Sequence, residues 1–556
     1  MRRAVSALAL VLLVSACDNP SDMPGSPQVG SQTNWLLACD TSGECGGLQC
    51  ICGTCSAVCD DDTACAQLPD AACVGGREAG AAALCSGQTP PVGICLPRCE
   101  EACPEGTSCV AGVCEPSSDG MVTVTVDTAE RHQTLVGFGA SLAYAEDAIV
   151  AHPQKEVFFD LVFAESGFDV LRLRNRHDSG DEAEVLAPAE IIEAASMRLG
   201  RTPLLFMTSG TPPAELKANG ARQCAGDLET CTLVSLPGVG FDYGGFASFW
   251  RDSLEAYAGA GVFPDYVSIQ NNPNWVPGAD NLNEGCRFLP EEGSVTVEIG
   301  GAPVEVAYPG YREALDAVQA AIVDLPGPPP RFGAVEANGL AHVGDYVAAL
   351  DAGNFDALAV HVYDMDPSEV DVAQLAAVRE LGEQLGRPVL QTEMQAEGLE
   401  TAVLVHHALT SGGAVAYLQN DLVALREAQA SIALVLLNED GFTAQPPYYA
   451  LSQYAKHTDP GWIRIGASSD SSRLLASGWL APDEGALTLV LVNPEADALV
   501  TELVLPEGVR ERLLRTEVAG TVFGGTDRSA APGELSSSGV VRVPGRAVVT
   551  IALATP

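Results

Sequence analysis

Val389-Leu390-Gln391-Thr392-Glu393-Met394 is an apolar, strand-like run that ends on a carboxylate, with helix-compatible sequence on either side. Runs of the same kind recur upstream and downstream at Leu135–Phe138, Val170–Arg174, Leu204–Thr208, Tyr266–Gln270, Phe332–Val335, Ala357–Val360 and Val415–Leu418. Between them lie segments such as Tyr243–Tyr257 and Tyr311–Val323, whose apolar residues return at helical spacing. Eight such strands with intervening helices predict an α/β fold, a (β/α)8 TIM barrel over 133–461. In that fold, polar residues just past the C-terminal ends of the strands converge at one mouth.

Working outward, the pattern changes to period two after about residue 462. Leu487–Val492, Ala498–Val504, Val540–Val543 and Val548–Leu553 read as antiparallel strands between Pro-, Gly- and Asp-containing turns. Residues 462–556 are therefore expected to form a C-terminal β-sandwich. Met121–Val126, which alternates Val and Thr within a linker at 115–132, is free to pair with it. Upstream, fourteen cysteines fall between Cys39 and Cys114, enough for a small disulfide-rich module over 39–114 that replaces a hydrophobic core. Their spacing repeats faintly, Cys55-x3-Cys59-x5-Cys65 being echoed by Cys95-x3-Cys99 and Cys103-x5-Cys109, but it assigns no pairing. A protein partner for this module is not identified by its residues.

The first residues bear on the compartment. Arg2-Arg3 and the apolar stretch Ala4 to Val14 read as a signal peptide, too short to span a bilayer. Val14-Ser15-Ala16-Cys17 resembles a bacterial lipobox, so 1–16 would be removed and Cys17 lipidated. Residues 17–38, with Pro20, Pro24 and Pro27 among small polar residues, read as a flexible tether. The expected location is extracytoplasmic, on the surface or periplasmic face of a bacterial membrane. Lys and Arg number 29 against 73 Asp and Glu, a net charge of −44. Such a surface repels phosphate backbones and speaks against nucleic acid as a partner.

Polar groups at the strand ends then carry the chemistry. Glu393 ends strand seven, where an ionised carboxylate facing the mouth can attack an anomeric carbon, or alternatively pair with a strand-end arginine. Arg172 and Arg174 share a face of strand two, and His361 and Tyr363 share one at strand six. Strand four ends Ser268-Ile269-Gln270-Asn271-Asn272-Pro273.

These stretches, with Gly137-Phe138-Gly139-Ala140, Pro212-Pro213-Ala214, Lys217-Ala218-Asn219-Gly220 and Tyr448-Tyr449-Ala450-Leu451 leading to Pro460-Gly461-Trp462-Ile463-Arg464, resemble glycoside hydrolase family 30 over roughly 121–556. The resemblance implies a retaining O-glycosidase acting on a β-linked glycan or glycoside of the xylan, β-glucan or glucosylceramide class. It makes Glu393 the nucleophile and gives Asn271 the sugar 2-hydroxyl, while Arg172, His361 and Tyr363 line the nucleophile's pocket. At the acid/base position, where the family has glutamate, this chain has Asn272. A carboxamide has no proton to give, and the missing acid is worth about 10²–10⁴ in rate. Aromatic residues common in the family are also absent at Gly210, Glu215 and Leu418-Gln419-Asn420.

Three readings follow: a glycosidase whose proton comes from elsewhere (Asp178, Glu284, Glu336 or Asp364), a catalytically inactive glycan-binding surface protein, or a structural module. Cys224 and Cys231, seven apart after strand three, are expected to pair, leaving Cys286 without an obvious mate. No metal-ligand cluster is legible and no cofactor is implied. Gly137-Phe138-Gly139 lacks the third glycine of a dinucleotide fingerprint, and its glycines are read as permitting a tight strand-end turn.

Overall fold

The computed structural model describes the chain outside residues 1–33, 38, 40–41, 53, 69–70, 76–91, 100–106, 111–112, 117–120, 176–181, 280–283, 440, 507, 510–514, 524–529, 534–538 and 555–556. The leader, Cys17, nearly all of the tether and Asp178 therefore lie outside the described residues.

Eight parallel strands close into a barrel: β1 (Gly137–Ser141), β2 (Val170–Arg174), β3 (Leu204–Thr208), β4 (Tyr266–Ser268), β5 (Arg331–Val335), β6 (Ala357–His361), β7 (Val389–Glu393) and β8 (Ala414–Gln419). Every residue of β1, β2, β6, β7 and β8 is buried, which is why these strands read as continuous apolar runs and not as alternations. Val170, Phe206, Tyr266, Ala357, Ala359, Leu390, Ala416 and Leu418 plug the barrel interior. Strand periodicity then fixes what stands above the plug. Two residues on from Val170, Phe206 and Ala359 come Arg172, Thr208 and His361 on the same inward face.

Gly137 and Gly139 lie within β1, not in a turn after it. The reason for glycine at 139 is the close approach of β2: a Cβ there would lie 1.7 Å from the carbonyl oxygen of Val170.

The flanking β-structure is one continuous nine-stranded sheet. One interior member, Val122–Thr134, pairs antiparallel with Ile463–Ser469 and parallel with Leu499–Val504. The sheet folds over a core that includes Val122, Val124, Ile465, Leu489, Leu503, Val541 and Ile551. Asn493 Nδ2 donates to the carbonyls of Val543 and Pro544, tying together strands distant in the sheet order. Val490, Val492 and Val548, on the opposite face, pack into the barrel's own core.

In the N-terminal module, Cys39–Cys50, Cys45–Cys55, Cys59–Cys73 and Cys65–Cys95 are bridged, and Cys52, Cys99 and Cys114 are also disulfide-bonded. Its buried Trp35 lies 5.7 Å from the Arg542 guanidinium, which seats the module against the side sheet.

Gly139→Ala should destabilise the protein by about 3 kcal/mol, the upper range for overpacking, because the β2 backbone cannot give way. Gly344→Ala, in the helix Val343–Ala349 with open space at its Cβ position, should stabilise by about 0.5–1 kcal/mol. Denaturant unfolding of the two variants checks the contrast.

Candidate active site

At the C-terminal ends of the strands lies a cleft of about 490 Å³. Arg172, Asn271, Asn272, Tyr363 and Glu393 all line it. Buried Arg172 organises the floor. Its Nη1 donates to Glu393 Oε2 at 2.6 Å and its Nη2 to Asn271 Oδ1 at 2.8 Å. Nε and Nη2 both reach Glu336 Oε1, at 3.2 and 2.9 Å. The second oxygen of Glu393 accepts from Tyr363 Oη at 2.8 Å. Burial beside Glu393 raises the Tyr363 phenol well above its usual range, so it stays a donor. The Arg172 guanidinium is disfavoured by burial, but the two carboxylates overcome this and hold its proton more tightly than in water.

Glu336, directly after β5, is fully buried in the described fold. Burial alone would raise its carboxyl pKa. Arg172, His361 and Thr208 outweigh it and bring the value down to about 2. Thr208 Oγ1 donates to Glu336 Oε2 at 2.5 Å, and His361 Nε2 lies 3.4 Å from Oε1. The other imidazole nitrogen, Nδ1, is 2.9 Å from Asn272 Oδ1. Asn272 itself has a left-handed backbone (φ +47°), a conformation asparagine tolerates better than most side chains, and its amide donates to the Glu336 carbonyl at 2.9 Å. Glu336, His361 and Asn272 thus form a fixed chain beneath the cleft, beside the Arg172–Glu393 pair.

The four acidic residues considered as proton donors are placed differently. Asp178 falls outside the described residues. Glu336 is sealed under Arg172. Asp364 is away from the cleft lining, accepting from Ala341 N and Gln374 Nε2, each at 3.0 Å. Glu284 reaches the cleft, but its oxygens are held by Arg174 and, at 2.8 Å, by Arg222.

The lining residues that sequence reasoning missed include Trp275, Tyr144 and Asp421. Trp275 and Tyr144 supply aromatic surface that was expected to be lacking. The signals were present: Trp275 follows Asn272-Pro273 at the end of β4, and Tyr144 follows β1. Asp421, two residues past β8, also lines the cleft. Its signal is a carboxyl directly after Leu418-Gln419-Asn420.

Elsewhere, Cys224 and Cys231 are bridged and Cys286 is a buried free thiol whose pKa burial raises to about 12. Among the described residues, the groups with metal-ligand spacing are cysteines already engaged in disulfides.

No family model and no curated protein matches the chain. Solved structures do. The catalytic domain of GH30 xylanase C from Talaromyces cellulolyticus is 16% identical with a TM-score of 0.58, covering 78% of this chain and 100% of that one. The family 30 subfamily 8 xylanase Xyn30A from Clostridium acetobutylicum is 18% identical (TM-score 0.59; 78% and 100% covered). The endo-β1,6-glucanase BT3312 is 14% identical (TM-score 0.55; 79% and 96% covered). The barrel with its side sheet is therefore the fold of family 30 glycoside hydrolases.

Glu336→Gln should cost about 3–5 kcal/mol, since it leaves the buried Arg172 charge without one of its two carboxylates. The depressed Glu336 pKa also sets a pH window. Its contribution is complete above about pH 4.5, its ordinary value, and is lost as pH falls toward about 2. Urea unfolding at stepped pH should show wild-type stability declining through that window more steeply than the variant's.

Proposed function

We propose that this protein is a retaining-type glycoside hydrolase acting on a β-linked glycan or glycoside. Glu393 serves as nucleophile, and position 272 contributes no proton. The observation that carries this reading is the setting of Glu393: a buried side chain paired with Arg172, oriented by Tyr363, and open to a cleft large enough for sugar rings. Such a group can bond an anomeric carbon and be displaced by water in a second step. Asn271, fixed by Arg172 at the same wall, is placed to meet a sugar hydroxyl, and Trp275 and Tyr144 offer faces for ring stacking. The xylanases and the β1,6-glucanase that share the fold support a xylan or β-glucan substrate.

A second reading, a glycan-binding surface protein without turnover, is favoured by Asn272 alone. Its carboxamide is tied to His361 and has no proton to offer. The two separate on activated substrates. A 2,4-dinitrophenyl 2-deoxy-2-fluoro-β-glycoside panel (xylose, glucose) should label the enzyme, and peptide mass spectrometry should place the sugar on Glu393. Glu393→Gln should abolish labelling. Glycan binding by calorimetry with no labelling of the wild type would favour the second reading.

The same proposal includes an extracytoplasmic setting, with cleavage before Cys17, a lipid on Cys17, a tether over 17–38 and the cysteine-rich module over 39–114 as a spacer ahead of the catalytic unit. Among the described residues no helix is long and apolar enough to cross a membrane. Cys17→Ser should eliminate palmitate incorporation and move the protein from the membrane fraction to the soluble one. Unchanged membrane association would refute the anchor.

A further inference from the structure

With Asn272 silent, the cleft needs another proton donor if it turns over unactivated glycosides. Among the described residues three carboxyl groups line it: Glu393, Glu284 and Asp421. Glu393 is committed to Arg172 and Tyr363, and Glu284 to Arg174 and Arg222. Asp421 enters no ion pair among the described residues. We propose that Asp421, at the end of β8, is the general acid and base of this site, in place of the missing β4 residue. This rests on the reading of Glu393 as a glycosidic nucleophile.

The backbone holds Asp421 firmly at the mouth. The amide before it, that of Asn420, donates to the Met394 carbonyl next to Glu393, at 2.8 Å. The amide after it, that of Leu422, donates to the Ser141 carbonyl at the end of β1, at 2.7 Å. Its own carbonyl accepts from Leu434 at 3.1 Å. In the barrel order β8 is hydrogen-bonded to β7 and stands four places from β4. Asp421 therefore follows the strand beside the one that ends in Glu393, and both residues line the same cleft.

The electrostatics agree with a donor. Burial, and then the negative charge of Glu393, raise the Asp421 carboxyl to about 7, against the opposing effects of its own backbone amide and then of Arg172. The other charged or titratable groups around the cleft are Tyr144, Tyr363 and the Arg174–Glu284 pair. A carboxylic acid that keeps its proton to near neutrality can donate it, whereas one with an ordinary value would already be ionised.

The two steps balance. A Glu393 oxygen bonds the anomeric carbon as the bond from that carbon to the leaving oxygen breaks. The electron pair stays on that oxygen, which takes the Asp421 proton. Ionised Asp421 then takes a proton from water as the water oxygen displaces Glu393 from the anomeric carbon. Both carboxyl groups end as they began.

The experiment compares wild type, Asp421→Asn and Asn272→Glu on phenyl and 2,4-dinitrophenyl β-xylosides and β-glucosides. Asp421→Asn should lose at least about 10² in kcat/KM on the phenyl glycoside, which needs a proton, and less than tenfold on the dinitrophenyl one, which does not. It should accumulate glycosyl-enzyme, seen as a burst of dinitrophenolate. Added azide should restore turnover and yield the β-glycosyl azide. The wild-type decline in kcat/KM above about pH 7 should be absent from the variant. Asn272→Glu should gain less than tenfold on the phenyl glycoside, because a donor is already present. Wild-type behaviour of Asp421→Asn on both substrates would overturn the proposal, as would a gain of 10² in Asn272→Glu. So would a folded Asp421→Asn that azide does not rescue. If wild type neither hydrolyses a dinitrophenyl glycoside nor labels at Glu393, the glycosidase reading itself has failed and the assignment of Asp421 falls with it.

Discussion

One buried cation ties the site to the fold. Arg172 brings a full charge to a place where water is nearly excluded, and removing such a charge from water costs several kcal/mol. The cost is offset because the guanidinium meets Glu336 and Glu393 and donates to Asn271. These partners come from the ends of β5, β7 and β4, so β2 must close against the whole ring before the charge is satisfied. The arrangement that orients Glu393 and the arrangement that completes the barrel are the same set of contacts. Changes on the floor of the cleft should accordingly alter stability and chemistry together.

The charge distribution also separates the cleft from the rest of the surface. The chain as a whole carries −44, yet the acids lining the cleft are interleaved with Arg172 and Arg174, and Arg222 also pairs with Glu284. A neutral sugar polymer gains nothing from a long-range field and loses nothing to it. In the proposed glycan reading, recognition would depend on short-range hydrogen bonds and on the ring faces of Trp275 and Tyr144.

Much of this was legible in the residues because both relevant periodicities are strict. The eight buried strands announce themselves as apolar runs, and period two places Arg172, Thr208 and His361 above Val170, Phe206 and Ala359 without any coordinates. What the sequence could not carry was pairing between distant groups. That Glu284 is neutralised by Arg174 and Arg222, or that Glu336 is sealed and ionised, depends on three-dimensional proximity alone. Gly139 was misread for the same reason: glycine in a turn and glycine under a crossing backbone look identical in one dimension. The side sheet was recognisable as β-structure, but its continuity was not. Joining both halves requires one strand, Val122–Thr134, to be paired along each edge.

That strand has a consequence for biogenesis. Thr123 and Asp470, bonded through the Thr123 amide, are 347 positions apart in the chain. Loop-closure entropy must be met before such a contact repays it, so pairing over this distance is among the slow events of folding. A ribosome would release the N-terminal edge long before its neighbours exist. Until they emerge, Val122, Val124 and Val126 have nothing to cover them, and an unpaired apolar edge invites association with other chains. Delayed assembly of this kind is compatible with export in an unfolded state. The dense disulfides just upstream would then form first and shield the early part of the molecule while the remainder arrives.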